Sequence, residues 1–279
     1  MTTPRRTSRR GVAISSGYYV TAAALAVLFL SPLVWTVGRS FTGSQASASG
    51  SGAGLRNYER LYEYGSGLWT YVGNSVVVAA IAVVGTLVVT IAGGYAVARF
   101  RFPGRNLLFI GALAILMIPH PTILLPIYTL LSRMGLQNSL VAVGVVMIMF
   151  QLPFGLFLMR NAFEALPREL EEAAKIDGCN RFTALVRVLL PGVVPAAVTV
   201  GIFTFLNTWN EFLAPLILLT DGQRFTLPVA LVSIRSGAFG AVDLGALQAG
   251  IVVAAIPCVV IFLALQRYYV RGFTAGAVK

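Results

Sequence analysis

The sequence predicts an all-α integral membrane protein with six transmembrane helices. Three observations carry that expectation. Hydrophobic residues make up 57% of the 279-residue chain and charged residues only 11%, whereas soluble domains carry roughly 25% charged residues. Mean hydropathy is +0.81. Six apolar runs, at about 17–38, 73–98, 106–131, 138–160, 192–219 and 246–270, are each long enough to cross a ~30 Å hydrocarbon layer as a helix. Helices are required because backbone groups in lipid must be satisfied within their own segment.

The first run follows Arg5, Arg6, Arg9 and Arg10. Ala46-Ser47-Ala48 downstream imitates a cleavage site, but the run exceeds the ~7–15 residues of a signal-peptide core. An uncleaved anchor is the expectation, behind a cytosolic tail at 1–16. The external segment 39–72 divides into a low-complexity half, "TGSQASASGSGAG", expected to be mobile, and an aromatic half, "LRNYERLYEYGSGLWTY", expected to rest at the membrane surface. Span two contains "GTLVVTIAGGYA", whose small residues permit close helix packing. Span three carries Pro119, Pro121 and Pro126, so a kink is expected there, from packing or along a solute path. Spans four to six carry Pro153, Pro195, Pro215 and Pro257.

With the N-terminus placed inside, internal segments hold 15 of the 21 Lys and Arg residues and external segments hold 6. That bias sets the topology, with both termini expected in the cytosol and residues 271–279 as a second tail. The net charge of +11 is dispersed among loop ends, so it reflects topology and implies no nucleic-acid partner. Cys179 and Cys258 fall in a predicted loop and a predicted span, a placement that suggests neither a disulfide nor a metal site.

One polar island interrupts the apolar chain: "ELEEAAKIDGCNRFTALVRVLLP", within a loop at 164–191. Pro167 suits a first helical turn, with Leu166 before it as an anchor. Glu169, Glu171 and Glu172 complement the dipole of a short helix, and Glu171 is spaced to pair with Lys175. Leu170, Ala173 and Ala174 share one small apolar face. Gly178 supplies a left-handed stop, and Asn180 caps a second helix that runs to Leu190-Pro191.

These residues carry a resemblance. Glu172-Ala173-Ala174, Gly178, Val188, Leu190 and Pro191 resemble the "EAA–G–I–LP" loop of importer permeases of the ATP-binding-cassette (ABC) family, with thirteen residues from glycine to proline and valine for the usual isoleucine. "NSVVVAAIAVVGTLVVTIAGGYAVARFRFPGR", "MIPHPTILLPIYTLLSRMGLQNS", "LPRELEEAAKIDG", "NTWNEFLAPLILL" and "RGFTAGAVK" are similar to carbohydrate-importer permeases of the maltose type, in particular the shorter six-span subunit. The resemblance runs from about residue 57 to the end.

It implies a type I ABC importer permease fold and a non-catalytic transport subunit for a sugar or oligosaccharide. The implied partners are a second permease subunit, an ATPase dimer, an extracytoplasmic solute-binding protein and membrane lipid. The island becomes a coupling helix docked on the ATPase, with Glu172, Ala173, Ala174, Asp177, Gly178, Leu190 and Pro191 as its coupling residues. Thr274, Ala275 and Gly276 in the tail are implied to contact the ATPase. A permease of the same family for a glycerol phosphoester or an amino acid stays open as an alternative.

The residues speak to the division of labour independently. A phosphate-binding loop of the form GxxxxGK[ST] needs a lysine after a glycine. Neither Lys175 nor Lys279 follows one. The chain is therefore expected to hold no cofactor itself, with ATP and Mg bound by the partner ATPase, and no metal. Within the predicted spans Glu211 is the one acidic residue, which argues against a secondary transporter with coupling-ion sites. A lone His120 leaves no paired acid–histidine set for a membrane-embedded enzyme. Asn207, Trp209, Asn210 and Glu211 are candidates for a solute path, because amides and carboxylates pair with sugar hydroxyls and aromatic faces cover the ring. His120 joins them as a pore-lining or interhelical residue.

Overall fold

The structure is a computed structural model that describes residues 9–42, 54–238 and 242–277, with side chains at 18–42, 54–238 and 242–265. Among the described residues it is helical throughout. Five helices are long and apolar enough to cross a membrane, or six with one bent pair counted as a span. In chain order the α-helices of the described residues are α1 (Arg9–Ser40), α2 (Arg56–Glu63), α3 (Leu68–Arg99), α4 (Arg105–Ala114), α5 (His120–Arg133), α6 (Leu140–Ala165), α7 (Glu169–Ile176), α8 (Arg181–Ala184), α9 (Leu190–Asn210), α10 (Leu213–Leu218), α11 (Leu227–Ser236) and α12 (Leu244–Ala277). The expected mobile stretch lies largely outside the described residues. The anchor helix begins at Arg9, inside what the sequence suggests is tail.

At the centre α3 packs on α6, and glycines set the distance. A β-carbon on Gly94 would stand 2.7 Å from Met159 Cβ and 3.0 Å from Arg160 N, and one on Gly144 would stand 2.6 Å from Ile81 Cγ2. The small residues of span two thus permit a close approach, as their composition suggests. The facing pairs 81–144, 85–148 and 94–159 rise together along both helices, so α3 and α6 run parallel. The segment between them must therefore return the chain to its starting end. That makes the bent pair one crossing, and gives six among the described residues.

The third span differs from expectation. It is broken by 103° between Arg105–Met117 and His120–Arg133. Ile118 and Pro119 are extended, at ψ 122° and 124°. A residue before proline is pushed out of the helical region, which accounts for Ile118. With Pro119 extended as well, two successive non-helical residues turn a kink into a corner before His120 opens α5.

The fifth span also differs. It starts at Arg181 and ends at Asn210 as one 30-residue helix, with a π-helical turn at Leu185–Leu189. The second helix of the polar island therefore does not stop at Leu190-Pro191. Pro191 lies in the first turn of α9, where its missing N–H costs little. At the other end, Pro215 would press its ring on the carbonyl of residue 211 if the helix continued. The helix breaks there, and α10 begins separately.

At the end opposite α7, α2 is fastened to the bundle. Leu61 is buried, and Asn57 Nδ2 donates to the carbonyls of Ser40 (2.8 Å) and Thr42 (2.9 Å). Arg60 pairs with Asp243 at 3.0 Å. These ties place the end of α1 beside the start of α12, so the other ends of α1 and α12 share the α7 end of the molecule.

Candidate functional site

The polar island folds as a short helix, a tight reversal and a helix start. Three glutamates lie in the first turn of α7 and Lys175 in its last, the arrangement that complements the helix dipole. Lys175 Nζ pairs with Glu171 Oε1 at 3.0 Å. Gly178 adopts φ 82°. Its N–H donates to the Lys175 carbonyl (3.1 Å), and the Cys179 N–H to the Ala174 carbonyl (2.9 Å), the paired bonds of a Schellman stop. Asn180 Oδ1 then accepts from the Thr183 N–H at 2.8 Å. These bonds hold the reversal through residues of its own segment.

The outer face of the turn carries exposed apolar and acidic side chains together. Ile176 is 86% exposed and Phe182 73%. Leu170, Ala173, Glu169, Glu172, Asp177 and Gly178 are exposed beside them. The expected shared face of Leu170, Ala173 and Ala174 divides: Ala174 is 4% exposed and packs inward with Glu171, while Leu170 and Ala173 stay outside. Leu190 packs against the buried cluster of Tyr95, Met159, Phe163 and Leu189, so it anchors the turn to the bundle rather than joining its outer face. Ile176 and Phe182 went unnoticed in the sequence. The available signal was a large apolar residue on each side of the Asp-Gly and Asn stops. Thr274, Ala275 and Gly276 lie outside the residues whose side chains are described.

The candidate solute-path residues separate into two groups. Trp209 is buried and its Nε1–H donates to the Ala254 carbonyl at 3.0 Å, so it joins α9 to α12. Glu211 caps α10, accepting from the N–H groups of Leu213 (2.8 Å) and Ala214 (3.1 Å). A carboxylate at a helix N-terminus is stabilised by the exposed amides. Asn207 and Asn210 remain on an exposed face of α9. Asn207 Nδ2 donates to Gln151 Oε1 at 3.0 Å, adding a buried α6 amide that the sequence did not single out. His120 stacks flat on Phe150, with ring centroids 4.2 Å apart and planes at 4°.

Residues 89–275 match the family described as the inner membrane component of binding-protein-dependent transport systems. The chain belongs to this family. The permease is 39% identical to DasC, the permease protein of a diacetylchitobiose uptake system of Streptomyces coelicolor, over 76% of each chain. It is 30% identical to MalG, a trehalose/maltose transport system permease of Thermococcus litoralis, over 93% of its own length and 95% of that protein's. Among solved structures it resembles a chain of a bacterial ABC transporter that imports alginate, with a TM-score of 0.77 and 22% identity over 96% of the permease and 100% of that chain. It is therefore an integral inner membrane protein with the fold of an ABC importer permease.

Proposed function

We propose that this permease is one of two membrane subunits of an ATP-driven importer for a sugar or oligosaccharide, and that the turn at 169–182 docks on a cytosolic ATPase. The observation that carries the docking reading is the exposure of two large apolar side chains, Ile176 and Phe182, on a turn closed by its own hydrogen bonds. A knob of exposed apolar and acidic side chains is built to enter a groove. Glu172, Ala173, Asp177 and Gly178 then lie at the docking surface, Ala174 and Leu190 behind it, and Pro191 at the start of the helix that receives the movement. The α7 end is cytosolic in this reading, in keeping with its many arginines and with the start of α1 and the end of α12 lying there. ATP and Mg are held by the ATPase, and this chain carries out no chemistry.

Sugar as the solute is supported by the names of the relatives, which concern diacetylchitobiose and trehalose or maltose. The amides of Asn207, Asn210 and Gln151 suit hydroxyl groups. An external solute-binding protein and a second permease complete the assembly.

Affinity purification from the native membrane tests the reading. The wild-type chain is expected to bring down an ATPase, a second permease and a solute-binding protein. Ile176→Asp and Phe182→Asp each put a charge in place of an apolar side chain of the knob, and each is expected to weaken ATPase capture about thirtyfold or more, since central anchors are worth about 2 kcal/mol or more. Both side chains are exposed, so the melting temperature of the purified permease is expected to stay at the wild-type value. Undiminished ATPase capture by both variants would reject the docking surface.

A further inference from the structure

Behind the knob lies a buried ionic knot between α7 and the end of α3. Arg99 closes α3 with its side chain only 4% exposed, and Glu171 faces it from α7 with its side chain 11% exposed. Arg99 Nη2 donates to the Leu166 carbonyl at 2.8 Å, at the hinge between α6 and α7. Its Nε lies 4.0 Å from Glu171 Oε2. The Tyr95 hydroxyl, one helical turn before Arg99, donates to Glu171 Oε1 at 3.5 Å, and Lys175 holds the same oxygen. The Tyr95 ring is fixed edge-on between Phe100 and Phe163, at centroid distances of 5.3 and 5.6 Å. Arg181, at the start of α8, lies over Phe100 at 5.1 Å.

Among the described residues, every side-chain hydrogen bond and ion pair between α7 and α3 passes through Glu171. Its carboxylate is the one negative charge in that set, faced by Arg99 and Lys175. Removing it would leave Arg99 buried with the Leu166 carbonyl alone, and an uncompensated buried charge draws water or moves. The short helix would then be held by the packing of Ala174 and by its two hinges, and would be freer to swing.

We infer that Glu171, with Arg99 and Tyr95, locks α7 to the end of α3, so that force delivered to the knob moves α3 and the α6 packed on it as one body. Glu171 is thus a positioning residue. It faces away from the outer surface, and its role is separate from that of Glu172 beside it. The inference rests on the docking reading for its source of force, but the lock itself is a property of this chain.

The test is a distance measurement between nitroxide labels at Arg168→Cys and Arg101→Cys, with Cys179→Ser and Cys258→Ser, in the complex purified with its partners. The wild-type lock is expected to give one narrow distance that an unhydrolysable ATP analogue leaves unchanged. Glu171→Gln is expected to broaden it about twofold as α7 samples several positions, and the analogue is then expected to shift it. Tyr95→Phe, which removes one hydroxyl and keeps the ring, is expected to give a smaller broadening. It decides the question by itself if Glu171→Gln does not assemble. A wild-type width in the folded variants, unmoved by nucleotide, would overturn the lock. Failure of the docking reading shows elsewhere, as an ATPase that does not accompany the wild-type chain, whatever the label distances.

Discussion

Gly178→Asp is expected to abolish import while leaving the permease folded in the membrane. Two properties of the position separate these effects. Its φ of 82° is left-handed, and a β-carbon there would meet nothing within 4 Å in this chain. The cost to folding is therefore the backbone penalty alone, about 1–2 kcal/mol for an ordinary residue and less for Asp or Asn. That corresponds to a fall in melting temperature of a few degrees at most, at about 2–4 °C per kcal/mol for a protein of this size. Import is another matter. The new carboxylate would follow Asp177 in an exposed turn that also carries Ile176 and Phe182, in the face proposed to enter the ATPase groove. A charge desolvated there costs enough to lower ATPase capture about thirtyfold or more.

Gly178→Asn sharpens the experiment. Asparagine accepts the left-handed conformation, so a purely conformational role predicts near-normal import. A role in close approach to the partner predicts a loss comparable to that of Asp without the charge. The proposal expects the second result, measured as import in intact cells beside the melting temperature of the purified protein. Wild-type import by Gly178→Asp would remove the turn from the coupling mechanism.

The second large effect is expected in the α3–α6 seam, from a contrast between two glycines. At Gly94 an added β-carbon meets Met159 Cβ at 2.7 Å and the backbone of Met159 and Arg160 at 3.0 Å. None of these atoms moves without shifting α6. At Gly85 the conflict is with Ile148 Cδ1 at 2.2 Å and Cγ1 at 2.9 Å, the outer part of a side chain that a change of rotamer withdraws. Overpacking costs about 1–3 kcal/mol, and replacing a helical glycine with alanine returns about 1 kcal/mol. Gly85→Ala is thus expected to be close to neutral. Gly94→Ala is expected to lose about 1–2 kcal/mol, and Gly94→Leu to prevent assembly. Thermal melting of the variants in mild detergent ranks them, and equal melting of the two alanine variants would show that the seam yields more readily than its geometry implies.

Much of the candidate site was legible in the chain. The Asp177-Gly178 stop, the Asn180 cap and the Glu171–Lys175 pair all depend on residues within a few positions of each other. Their physics is local: a left-handed φ that suits glycine, a side-chain oxygen three residues from an orphan amide, an i,i+4 ion pair. The inward turn of Glu171 was not legible, because Arg99 and Tyr95 come from a different helix far back in the sequence. The hydrogen-bond partners of Trp209 and Glu211 were not legible either. Each carries a polar group that suits a solute, and each spends it inside the protein, on the Ala254 carbonyl and on the amides of α10.

The sequence alone determined the number and approximate position of the crossings, because a ~30 Å apolar layer imposes a length that composition records directly. It also determined the turn at 169–182, down to its capping residues. Only the tertiary structure decided which way each helix faces, that α3 and α6 lie parallel, that the third span turns through a corner and that the fifth ends at Asn210. The reason is the solvent. In water a buried helix face is apolar and an exposed one polar, so burial leaves a periodic mark in the sequence. In lipid both faces are apolar and helices associate through close packing and a few polar contacts, so the partner of each face is settled by shape.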